Sequence, residues 1–159
     1  MNWIFRRNKI NYLFGAIWIF ATMASCKHSS SSQLITETES ISNSKNCIKN
    51  IIAEDESLGK TRNHNCEKIS LSETIRIYAN GLEALDFAEC PEKFSTAFQS
   101  HIKAWKEMII ITDKYPNLRG EMHDLFDEIE EGKHKEEFKP RLDKIWSTWA
   151  EIEEAMKDN

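Results

Sequence analysis

Residues 91–112 read PEKFSTAFQSHIKAWKEMIIIT. Phe94, Phe98, His101, Trp105 and Met108 follow one another at steps of 4, 3, 4 and 3, with Ile102 and Ile109 alongside. That rhythm puts one apolar stripe on a helix turning every 3.6 residues and is incompatible with the period of two of a strand. Cys90-Pro91 marks the start of the helix, with Pro91 at its first position, where a missing N–H costs nothing. Tyr115-Pro116-Asn117 marks its stop and the next cap.

The same rhythm extends on both sides. Upstream, Ser70-x-x-Glu73 is a capping box, and Leu71, Ile75, Tyr78, Leu82 and Leu85 again step by 4 and 3. Asn80-Gly81 falls inside that helix and weakens it locally. Downstream, Leu118, Met122, Leu125 and Ile129 predict a third helix, with Phe126 beside them and Gly132 ending it. Phe138, Leu142, Ile145, Trp149, Ile152 and Met156 predict a fourth, with Trp146 adjacent and Pro140 in or near its first turn. Four amphipathic helices joined by short turns predict an all-α fold, an antiparallel four-helix bundle over residues 70–159. The extension 47–69 carries Cys47-Ile48-Lys49-Asn50-Ile51-Ile52, which offers one short additional helix.

The amino-terminal end reads differently. Arg6, Arg7 and Lys9 precede a 12-residue apolar stretch, Tyr12–Met23, too short to span a bilayer as a helix. Basic start, short apolar run and small residues after it predict a secretory signal peptide over 1–25. The exit, Met23-Ala24-Ser25-Cys26, resembles the lipobox of bacterial lipoprotein precursors. The resemblance implies lipidation of Cys26 as the first mature residue, with the domain tethered to the cell membrane or outer membrane, on its periplasmic or extracellular side. Cleavage after Ala24 and an uncleaved anchor are the rival readings. Residues 26–46 then contain the lipidated cysteine and a tether in which 7 of the 20 residues 27–46 are serine, composition that predicts a flexible linker.

Charge narrows the partners. All 26 acidic residues follow the three amino-terminal basic ones, leaving 18 Lys and Arg against them. A net-acidic domain argues against a nucleic-acid partner, since phosphate binding needs clustered cations. The expected partners are the membrane, through the lipid, and an envelope protein.

With Cys26 assigned to lipid, Cys47, Cys66 and Cys90 remain. Cys66 and Cys90 flank the helix beginning at residue 71, too far apart for a disulfide if that helix is continuous. Cys47 is therefore the common member of the pair, with Cys66 or Cys90 as partner, and the shorter loop favours Cys66. Should Cys90 be free, its place at a helix start would favour a thiolate. Neither C-x-x-C nor C-x-x-C-H occurs, which removes thioredoxin-like and covalent-haem chemistry. His101 on an apolar stripe reads as a core histidine with one hydrogen bond; ligation of a metal or haem is the sharper alternative. His123 and Asp127, on one flank with Glu130 and His134, are competent ligand types, but the set spans three turns and reads as a solvated acidic face. Trp105, Trp146 and Trp149 read as core before ligand pocket. No hydrolase elbow, zincin or phosphate-loop motif is present, so the sequence predicts a non-enzymatic binding module without cofactor. The alternative is a metal- or cofactor-binding bundle of cytochrome c′-like shape.

Overall fold

The computed structural model describes residues 31–158, with side chains from residue 41 onward. The signal peptide expected over 1–25 and the lipidation residue Cys26 lie outside the described residues. Five helices form the domain: α1 (Ser31–Asn65), α2 (Leu71–Glu83), α3 (Glu92–Thr112), α4 (Met122–Glu131) and α5 (Lys135–Lys157). The fold is an all-α helical bundle. No helix among the described residues is long and apolar enough to cross a membrane.

The side-chain bridges give the helix directions. Lys93 pairs with Asp158, His101 meets Thr148 at 2.9 Å and Lys114 pairs with Glu137 at 2.7 Å, so α3 and α5 run antiparallel along their whole length. Arg76 reaches Asp113 at 3.0 Å while Glu83 pairs with Lys106 at 2.5 Å, so α2 and α3 are antiparallel too. α1 packs against α2, and short α4 lies against the start of α5 through Phe126 and Phe138, whose rings meet edge to face at 5.3 Å. The expected stripes face inward: Leu71, Ile75, Tyr78 and Leu82 from α2; Phe94, Phe98, His101, Trp105 and Met108 from α3; Ile145 and Ile152 from α5.

Three expectations are corrected. The short extra helix expected in 47–69 is instead part of a 35-residue helix that runs Ser31–Asn65. Packing of Cys47, Ile51 and Cys66 fixes the later turns, and helix propagates from a formed nucleus far more easily than it starts. Helix α4 begins at Met122 rather than near Leu118. The Leu118 carbonyl accepts the Leu71 N–H at 2.8 Å, and Gly120 (φ 152°) donates to the Cys66 carbonyl at 3.0 Å, so this loop ties the α1–α2 corner before a helix can start. That left-handed backbone suits glycine. Pro140 is the sixth residue of α5, beyond the first turn, and can give no N–H to the Glu136 carbonyl.

Gly81 explains the weak Asn80-Gly81 step. A Cβ there would stand 2.9 Å from Leu58 Cδ2, so the missing side chain lets α1 approach α2.

Trp149 packs against His101, ring centroids 5.5 Å apart, whereas Trp146 is 44% exposed. Trp149→Ala is expected to cost about 2–4 kcal/mol, less than for a wholly enclosed ring because its edge reaches the surface, and Trp146→Ala less than about 1 kcal/mol. Urea unfolding midpoints of the two variants check the orientation of α5; equal losses would contradict it.

Candidate functional site

The polar side chains with most chemistry in them meet where α1, α2, α3 and α5 converge. Along α1 the residues facing α2 are Cys47, Ile51, Asp55, Leu58, Arg62 and Cys66, steps of 4, 4, 3, 4 and 4. The packing stripe thus continues through two charged residues. Arg62 lays its guanidinium carbon 4.4 Å from the centroids of both Tyr78 and Trp105. Those rings meet edge to face at 5.2 Å. The Tyr78 hydroxyl donates to Asp55 Oδ1 at 2.5 Å. Burial pushes the Asp55 carboxyl above the usual carboxylate range, against the Tyr78 hydrogen bond and the Arg62 charge, which lower it. Burial, with the Asp55 charge added, pushes the Tyr78 phenol far above its ordinary value, so it remains a neutral donor.

The chain of contacts continues through His101, which is 3% exposed. Trp105 Nε1 donates to His101 Nε2 at 3.0 Å, and His101 Nδ1 lies 2.9 Å from Thr148 Oγ1. An indole N–H can only donate, so Nε2 carries a lone pair. The single proton of the neutral ring is then on Nδ1 and goes to Thr148, whose own hydroxyl is passed back to the Lys144 carbonyl at 2.9 Å or the Ile145 carbonyl at 3.0 Å. Burial first, and the nearby Arg62 charge second, lower the His101 pKa from 6.5 to about 4. Both ring nitrogens are occupied by protein partners, which is the arrangement of a core histidine and leaves no lone pair for a metal or haem iron.

The other sequence candidates are not gathered with it. His123 is exposed and its Nδ1 lies 2.7 Å from Oε1 of Glu121, whose Oε2 caps α4. Asp127 is exposed one turn further along α4. Among the described residues no group of three or more His, Cys, Asp or Glu side chains can hold a metal ion.

Cys47 is bonded to Cys90, with Cα atoms 5.2 Å apart, and Cys66 is a free thiol with 0% exposure. The preference for Cys66 as partner of Cys47 is thereby corrected. That preference rests on a flexible loop between the two, but Cys47 sits within α1 and Cys66 directly follows its last residue, 19 residues and roughly 28 Å away along a rigid helix. Cys90, being bonded, offers no reactive thiolate. Burial raises the Cys66 pKa, which makes that thiol inert as a nucleophile.

Two open grooves flank this centre without reaching it. One, of about 540 Å³, runs beside the disulfide between Asn46, Asn50 and Glu54 of α1 and the loop residues Asp86 and Glu89. The other, of about 450 Å³, lies between Thr96 and Ser100 of α3 and Glu151 of α5. Comparison of the chain with known protein families, curated proteins and solved structures finds no match.

Sequence reasoning singled out His101 but missed Asp55, Arg62 and Thr148. The signal for the first two was available: an Asp and an Arg seven residues apart, each filling a place on an otherwise apolar stripe.

The His101 environment predicts an acid-sensitive fold. The folded histidine releases its proton more readily than the unfolded one, so between pH 6.5 and about 4 the unfolded chain binds more protons. Stability is complete above that window and falls as pH drops through it, by about 2 kcal/mol between pH 7 and pH 5. Urea titrations at the two pH values, on wild type and on His101→Gln, check this; the variant is expected to lose this share of the pH slope.

Proposed function

We propose that the chain is an exported, lipid-anchored helical module of the bacterial cell envelope that acts by binding another envelope component. The observation that carries the reading is the Cys47–Cys90 disulfide joining α1 to the start of α3. Disulfides of this structural kind persist in oxidising compartments and are rare in reducing ones. Together with the export-type amino terminus and Met23-Ala24-Ser25-Cys26, it supports a domain that folds outside the cytoplasm. The use of the buried polar side chains on one another supports a scaffold over a catalyst: Asp55, Tyr78, His101 and Thr148 are spent on internal hydrogen bonds. What remains for recognition is the outer surface, including the exposed apolar side chains Ile77, Ile110 and Trp146.

Metabolic labelling with radioactive palmitate in a bacterial host, followed by membrane fractionation, tests the anchor. Wild type is expected to carry label and sediment with membranes. Cys26→Ser is expected to lose the label and leave the membrane fraction, since no helix of the described domain provides a spanning segment. An unlabelled wild type recovered in the soluble fraction would replace the anchor with simple secretion. A Cys26→Ser protein that stays in the membrane without label would make the apolar stretch an uncleaved anchor.

A further inference from the structure

We infer that the junction of Arg62, Trp105 and His101 is an acid-operated latch, which when His101 takes up a proton loosens residues 53–65 of α1 from the bundle between two fixed points, the Cys47–Cys90 disulfide and the α1–α2 corner. The carrier is the hydrogen-bond geometry. His101 Nε2 accepts from the Trp105 indole and Nδ1 already donates to Thr148. A second ring proton has to go on Nε2, where it would face the indole N–H, donor against donor. The Trp105–His101 bond cannot survive that change. Trp105 is also one of the two rings that hold Arg62, and Arg62 is the side chain by which the end of α1 reaches past α2 to α3. An imidazolium there is a second cation beside the guanidinium in a buried setting, where repulsion is strong.

The groups around the latch determine the direction. From α1 they are Asp55, Glu56, Arg62 and the Cys66 thiol; from α2, Tyr78; from the α3–α4 loop, Glu121, which acts on Cys66. From α5, Thr148 and Trp149 are uncharged. Asp55 works against opening, because its carboxyl takes up a proton more readily in the closed state than in water. His101 works for opening: burial and the Arg62 charge pull its pKa down to about 4, and its protonation also breaks the bond from the Trp105 indole. Mild acid therefore favours the open arrangement. Leu58 and the buried face of Tyr78 are uncovered by it, and the disulfide at one end with the α1–α2 corner at the other makes the opening a local outward bowing that can reverse.

Hydrogen–deuterium exchange on the full-length chain in detergent, disulfide intact, tests the latch. Protection in residues 53–65 is compared with that in 94–108 and 141–155 at pH 7 and pH 4.5, corrected for intrinsic exchange. Protection of 53–65 is expected to fall by at least roughly ten-fold, with the α3 and α5 segments unchanged and recovery on return to pH 7. His101→Gln retains an acceptor for Trp105 and a donor for Thr148 but has no proton to gain, and its 53–65 segment is expected to show no such fall. Should that variant fail to fold, the wild-type His101 ring is titrated by NMR: coincidence of its midpoint with the loss of α1 protection supports the latch. Three outcomes overturn it: the same loss in a folded His101→Gln, simultaneous loss in all helices, or protonation of His101 with α1 still protected.

Discussion

The Arg62 guanidinium sits 4.4 Å from the Tyr78 and Trp105 ring centroids at once, and this double stacking orders everything around it. A cation on two ring faces is worth on the order of 1–2 kcal/mol per face when partly shielded from water. Its greater effect is geometric. The two rings belong to α2 and α3, the cation to α1, and Trp105 passes its N–H on to His101, which passes its own to α5. Four helices are thereby registered by one continuous polar chain. Apolar stripes alone tolerate a slip of one turn with little penalty; a chain of donors and acceptors does not, because every slip strands a buried polar atom.

That chain also explains the division of labour between α1 and the other helices. α2, α3 and α5 hold together by large apolar side chains such as Leu71, Phe98 and Ile152. Among the described side chains, α1 brings Cys47 and Ile51 and, half-buried, Ile48, Ile52 and Leu58 to the interface, a thin apolar contribution beside those of α2 and α3. Its attachment rests on the Asp55 and Arg62 contacts, on the close approach allowed by Gly81, and on the covalent link at Cys47. In a chain-entropy picture, closing the 43-residue separation between Cys47 and Cys90 contributes about 4 kcal/mol. It falls on the helix with the least apolar packing.

The parts legible in the sequence are those where hydrophobic spacing and structure are the same thing. The stripes of α2, α3 and α5 could be read residue by residue, Trp149 turning in included, but Trp146, read as core beside Trp105 and Trp149, is 44% exposed. α1 was illegible for a physical reason. Two of its inward positions are Asp55 and Arg62, so a hydrophobicity count registers a polar segment where the chain docks a helix. Its serine-rich early turns have no stripe at all and are helical by propagation. The centre around His101 was half legible: the histidine stood out on an apolar face, but its partners lie 47 residues away at Thr148 and on a helix that composition disguised. Disulfide choice failed for the same cause, since loop-closure reasoning treats the intervening residues as coil.

The enclosed thiol of Cys66 has a consequence for biogenesis. Cys47, Cys66 and Cys90 permit three different single bridges, and only Cys47–Cys90 is compatible with both α1 and α2 as unbroken helices. Cys66 is protected from oxidase and from exchange only after the α1–α2 corner has closed over it, with Gly120 hydrogen-bonded to its carbonyl. Before that, it competes. A corner that closes early hides one thiol and leaves only the productive pair open to oxidation. The local turn between α1 and α2 thereby bears on which covalent bond is made elsewhere in the molecule.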